Sequence, residues 1–202
     1  MTAPPWWEPF TDVVPDWFRA YLTVEPAASV ISTHEAQFLP GLFQTGDYAR
    51  AVIGLAHPDP VDAERRVELR LARQGLLDRA GSPDISAVIG AEALRQPPLP
   101  PQQWQAQLDR LIELTERPRV RIVIGAATPA PSPVAEPSFT LLRFREDAHR
   151  DLVYIEHLDD ARYLDDPAEI ARYCDVLAEL SAPERTVAET RAVLHRLHGQ
   201  VG

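Results

Sequence analysis

Residues 40–51 read PGLFQTGDYARA, and this order of residue types specifies a corner. Gly41 behind Pro40 favours a turn, Thr45 is placed to cap a helix, and Asp47, Tyr48 and Arg50 fill that helix's first turns. Upstream, Ala28–His34 reads as a strand in which Val30 and Ile31 alternate across two faces, and Asp16–Thr23 reads as a helix. Downstream, Pro60 and Asp62 open a helix over Val61–Arg79 that Gly81 stops. Ile85, Ala87 and Ile89 alternate as a second strand.

Pro97 to Pro101 break the chain, and Trp104, Leu108, Leu111 and Thr115 then recur at helical spacing until Pro118. Val120, Ile122 and Ile124 alternate as a third strand, followed by an extended crossing that carries Pro129, Pro131, Pro133 and Pro137. Phe139–Arg145 and Leu152–Leu158 read as a hairpin across a charged turn. Asp166, Pro167 and Glu169 cap the next helix, and Ser181 with Glu184 repeats the pattern for a last helix reaching His198. The prediction is one α+β domain over residues 12–202: an about five-stranded, partly antiparallel sheet packed with about six helices. Residues 1–11, with Trp6, Trp7 and Phe10 among prolines, form an aromatic N-terminal arm that either folds back onto the domain or docks a partner.

Composition narrows the function classes. The chain has 202 residues, 45% of them hydrophobic, and a net charge of −10, with arginine supplying all 20 cations and lysine absent. An acidic average field opposes a polyanion, so no direct DNA binding is expected. No long apolar run or signal peptide is visible, and the expected location is cytoplasmic without membrane association. Cys174 is the single cysteine, which excludes an internal disulfide and reads as a small hydrophobe on a helix. His195 and His198 are three apart, but two imidazoles without a third ligand do not make a metal site, so neither metal nor other cofactor is expected.

The corner also resembles the Pro-Gly-Leu-Leu-Gln-Thr-x-x-Tyr-Ala-Arg signature of an actinobacterial domain of unknown function. That domain is found C-terminal to a helix-turn-helix in antitoxin-like transcriptional regulators. Ordered matches extend the resemblance over about residues 17–180. Trp17 and Phe18 with Glu25 and Ala28 match its approach to the corner, and Arg70, Arg73 and Gln74 match Arg-x-x-Arg-Gln. Glu92, Leu94 and Arg95 match Glu-x-x-Leu-Arg; Gln107 with Leu108, Phe139 to Leu142, and Tyr154 with Glu156 follow in order. Two departures are Phe43 where leucine is usual and Gly90 where an acid is common. Only sixteen residues precede Trp17, too few for three helices, so the expectation is a stand-alone copy lacking the helix-turn-helix.

Catalytic signatures are missing, and the candidate chemistry lies in a polar cluster instead. Tyr154 and Glu156 are two apart on a strand and share a face, while Val153 and Ile155 point to core. If that face meets the arginines of the Val61–Arg79 helix and the Pro40–Ala51 corner, then Gln44, Tyr48, Arg70, Arg73 and Gln74 surround a common space with Glu156. Glu35 and Glu92 join them from strand ends. Such a cluster is either an ion-pair network that fixes the fold or the wall of a pocket for a small polar ligand.

Two functions therefore stand. The first is a regulator-derived binding module that recognises a small polar metabolite or a small partner protein, with a homo-oligomer as a further possibility. The second is a cofactor-free biosynthetic enzyme, a cyclase, isomerase or hydrolase. In it Glu156 or Glu92 is the acid or base, Tyr48 or Tyr154 the proton partner, and Arg70 or Arg73 the clamp.

Overall fold

A computed structural model describes residues 4–95, 97–125, 138–145, 149–157, 159–181 and 186–201. Strands β1 (Val30–Glu35), β2 (Asp84–Ile89), β3 (Val120–Ile124), β4 (Phe139–Arg143), β5 (Leu152–Glu156) and β6 (Ala161–Leu164) form one sheet in the order β3-β2-β1-β4-β5-β6. The β1–β2 and β2–β3 pairs are parallel; the β1–β4, β4–β5 and β5–β6 pairs are antiparallel. Seven helices accompany the sheet among the described residues: α1 (Asp16–Val24), α2 (Gly46–Ala56), α3 (Pro60–Gln74), α4 (Ala91–Arg95), α5 (Pro101–Thr115), α6 (Pro167–Leu180) and α7 (Val187–Gln200).

The α+β class and the mixed sheet agree with the sequence reading, and the sheet has one strand more than expected. β6 is only ARYL, bounded by acidic residues, and carries too few alternations to signal itself. Pairing specifies it, with Val153 opposite Leu164 and Tyr154 opposite Tyr163. A long-range anchor adds to this, because Tyr163 Oη donates to Trp17 O at 2.6 Å and accepts from Tyr21 N at 3.1 Å.

Helix boundaries differ in two places. α3 stops at Gln74, and Gly75–Leu77 continues as a single 3-10 turn, so the helix is shorter than Val61–Arg79. The last helix starts from Thr186, whose side chain accepts from Glu189 N while the Glu189 carboxylate accepts from Thr186 N at 2.6 Å. Ser181 instead closes α6, and Glu184 lies outside the described residues. The proline-rich crossing at 129–137 and Leu158 lie outside them as well.

One sheet face buries Ile31, Ile85, Ala87, Ile89, Ile122, Leu142 and Tyr154 against Leu22 of α1, Leu69 of α3, Leu108 and Leu111 of α5, and Leu194 of α7. The other face of the antiparallel half buries Phe139, Leu141, Val153, Ile155 and Leu164 against Tyr173 of α6. α2 leans on α3 through Ala49, Ile53, Ala63 and Val67. The aromatic arm folds back: Trp6 Nε1 donates to Leu22 O at 3.0 Å, Trp7 Nε1 donates to Thr23 Oγ1 at 3.3 Å, and Arg65 lies over the Phe10 ring.

Gly90 sets how closely β2 can approach the end of β1. Its N–H donates to Glu35 O at 2.7 Å, and a Cβ there would lie 2.5 Å from Ala36 O, a backbone atom unable to swing away. The close approach accounts for glycine at this position. Gly90→Ala is expected to cost about 1–3 kcal/mol in urea unfolding with an unchanged slope, as overpacking does; an unaffected midpoint would contradict the contact.

Candidate functional site

The corner folds as its residue types require. Gly41–Phe43 makes one 3-10 turn, Thr45 Oγ1 then accepts from Tyr48 N at 3.3 Å, and α2 begins. Two glutamines staple the corner to neighbouring helices. Gln74 Nε2 donates to Gly41 O at 3.0 Å and Gln44 O at 2.8 Å, and Gln107 Nε2 donates to Phe43 O at 2.9 Å while its Oε1 accepts from Thr45 N at 2.7 Å.

A cavity of about 1180 Å³ opens beside the corner. It lies at the carboxyl ends of the parallel strands: Glu35 ends β1 and Ala36 follows it, Gly90 to Glu92 follow β2, and Gly125 follows β3. Ser138 and Phe139 at the start of β4, and Glu156 and His157 at the end of β5, continue the wall. Open sheets place ligands at this end of parallel strands, where the winding changes sense. Here the change is the junction between parallel β1 and antiparallel β4.

The register puts a polar strip on the sheet face toward the cavity. Thr33 of β1 is opposite Thr140 of β4, which is opposite Tyr154 of β5, and Glu35 and Glu156 are two residues further along their strands. Thr140 Oγ1 donates to Thr33 Oγ1 at 3.1 Å, Thr33 Oγ1 donates to Phe139 O at 3.2 Å, and Tyr154 Oη donates to Glu156 Oε2 at 3.0 Å. Burial, reinforced by the Glu156 charge, raises the Tyr154 phenol well above its ordinary range.

Two arginines of α3 reach the same cavity with different partners. Arg73 forms a two-pronged pair with Glu25, Nε to Oε2 at 2.8 Å and Nη2 to Oε1 at 2.7 Å, and Glu25 is 1% exposed. Tyr21 Oη donates to the same carboxylate at 2.9 Å, and the guanidinium lies 5.2 Å from the Tyr21 ring centre. Burial works against the Arg73 charge, but the Glu25 carboxylate more than offsets it and raises the pKa.

Arg70, one turn earlier, has no such carboxylate. Its Nη1 donates to Gln44 Oε1 at 2.9 Å, and among the described residues no acid lies within ion-pairing distance. Burial and the neighbouring Arg73 charge lower its pKa to about 10, against the pull of Glu156 and Glu35. Burial also pushes the Glu35 carboxyl up to about 7; the Glu156 charge adds to the rise, while the Ser138 hydrogen bond and both arginines oppose it.

Of the sequence-selected residues, Gln44, Arg70, Arg73, Glu35, Glu92, Tyr154 and Glu156 line the cavity. Four corrections follow. Tyr48 does not line it: the ring is fully buried and its hydroxyl accepts from Leu39 N at 3.2 Å, which removes it as a proton partner for a ligand. Gln74 does not line it either, since its amide is spent on the corner backbone. Glu92 lines it only at the rim, 58% exposed and with its carboxylate paired to Arg95 at 2.5 Å. Arg73 is committed to Glu25, whereas Arg70 donates to the Gln44 amide.

Thr33, Thr140, Ser138 and Glu25 are not among the candidate site residues of the sequence, although Thr140 and Glu25 fall within the matches that carry the resemblance. Thr33 was signalled by its place two residues before Glu35 on one strand; Glu25 is 48 residues from Arg73 and carried no local signal.

No curated protein and no solved structure matches the chain. A family model for a domain of unknown function, DUF5753, matches residues 18–196. That span contains all six strands and every residue lining the cavity. The chain therefore belongs to the DUF5753 family, whose function is unknown.

Proposed function

We propose that this domain is a binding module that recognises a small polar metabolite in the cavity at the carboxyl ends of β1–β3. Arg70 is the receptor for an anionic group, and Glu35, Glu156 and the strand hydroxyls bind the remainder of the ligand. The observation that carries this reading is the contrast between two arginines on one helix. Arg73 has the buried carboxylate that a structural guanidinium requires, whereas Arg70 has only a neutral amide and a cavity. The resemblance to the portion of actinobacterial antitoxin-like regulators that follows the helix-turn-helix supports reading the module as the ligand-responsive part of such a system. Arg65 is engaged by Asp12 and Glu68, and Arg66 by Asp62, which favours a small-molecule partner over nucleic acid on α3.

A thermal-shift screen with small carboxylates, amines, sugars and amino acids tests the proposal. A ligand held at a hundred times its dissociation constant stabilises the fold by about 2.7 kcal/mol, and Arg70→Met is expected to abolish that shift. Equal shifts in wild type and Arg70→Met would overturn the reading.

One observation favours cofactor-free catalysis as a second reading. The Glu35 carboxyl, pushed up to about 7, stands in the same cavity as the Tyr154–Glu156 pair, and a group titrating there serves as acid or base near neutrality. In that case Glu35→Gln retains ligand binding and loses turnover.

A further inference from the structure

The charges around the cavity are unequal in a way that selects among ligands. Arg73 and Glu25 neutralise each other and Glu92 is paired with Arg95 at the rim, so of the lining arginines and acids one guanidinium, Arg70, and two carboxylates, Glu35 and Glu156, are left to meet a ligand; His34, His57 and His157 line the cavity as well. Arg70 carries five N–H donors in a planar fork, and Gln44 accepts one hydrogen bond from that fork. Glu35 projects from the end of β1 and Glu156 from the end of β5, with β4 between those strands; the two carboxylates flank one end of the cavity. Tyr154 occupies Glu156 Oε2.

A purely anionic ligand reaching Arg70 also meets two acids, and a purely cationic one meets the arginine. A ligand with both signs satisfies the whole set. The cavity also has an apolar wall: Phe38, Leu39, Val52 and Leu55 line it, and Leu55 is 69% exposed. At about 1180 Å³ it exceeds the usual range of small-ligand sites, so it has room for an apolar group beside the charged ends.

We infer that the ligand is a small zwitterion bearing an apolar group, a free apolar amino acid or a short apolar peptide, with its carboxylate on Arg70 and its ammonium between Glu35 and Glu156. This rests on the ligand-binding reading above and narrows it to one chemical class.

Isothermal titration at neutral pH with apolar free amino acids and apolar dipeptides, each also N-acetylated and C-amidated, tests the assignment. Unblocked compounds are expected to bind, and either block is expected to weaken binding at least tenfold. Arg70→Met should make affinity indifferent to C-amidation. Glu156→Gln, at an exposed strand end and with glutamine keeping an acceptor for the Tyr154 hydroxyl, should reduce the effect of N-acetylation. Preference for peptides over amino acids, or the reverse, identifies which source of the zwitterion fits. Acetylated compounds binding as well as free ones, or no member of the panel binding, would overturn the inference. The broader binding proposal fails separately, when ligands of any class bind without dependence on Arg70.

Discussion

Glu25→Gln lowers the stability of this domain by about 3–5 kcal/mol, the expected cost of leaving one charge of a buried pair uncompensated. Glu25 is 1% exposed, and its carboxylate accepts both prongs of Arg73 and the Tyr21 hydroxyl. Glutamine keeps the shape and one acceptor, so the experiment isolates the charge rather than a cavity. Cation–π contact with Tyr21 and Phe18 does not replace the carboxylate, since such contacts contribute about 0.5–2 kcal/mol. The pair also bridges the end of α1 to α3 and so positions the helix that carries Arg70. Urea unfolding at neutral pH gives the number, and a loss below about 1 kcal/mol would show that the pair is not structural.

Glu35→Gln is expected to act in the opposite direction and to do so with pH. The Glu35 carboxyl is raised from an ordinary 4.5 to about 7, chiefly by burial. Below 4.5 both folded and unfolded chains hold the proton, and the residue contributes nothing to the pH dependence. Between 4.5 and about 7 the unfolded chain releases its proton first, so stability falls as pH rises. Above about 7 both states are ionised and the full cost persists. At 1.36 kcal/mol per pH unit, and with solvent reaching the carboxyl through the cavity, that cost is about 1–3 kcal/mol. Glu35→Gln should therefore match wild type near pH 4, exceed it by that amount at pH 8, and flatten the profile between. A carboxylate that destabilises its own fold is what the binding proposal expects of Glu35. Variants that lose stability at pH 8 would place Glu35 among the structural groups.

These two residues also mark what the sequence could reveal. The corner was legible because Thr45, Gly41 and the spacing to Tyr48 are local chemistry, and the strip Tyr154–Glu156 because strand period is two. β6 was not, since four residues carry no period and its register comes from β5 and from Tyr163 reaching Trp17 and Tyr21. In the candidate site, cavity-lining residues could be grouped, but not sorted. Arg70 and Arg73 are alike in sequence, and only the fold brings Glu25 to one of them. Tyr48 and Gln74 were placed near the cluster correctly in chain position, yet Leu39 and the corner backbone absorb their polar atoms. Glu92 groups with Glu35 in the sequence as a strand-end carboxylate, but the short α4 presents it to solvent beside Arg95.

The distinction between the two arginines is tested most directly by the unfolding free energy of Arg70→Met, measured in urea beside wild type and Glu25→Gln without ligand. A guanidinium held for a ligand predicts a change within about 1 kcal/mol, because its removal also relieves the desolvation of an unpaired charge. A loss of about 3 kcal/mol or more, equal to that of Glu25→Gln, would make Arg70 part of the structural frame and contradict the assignment of the cavity as a binding site.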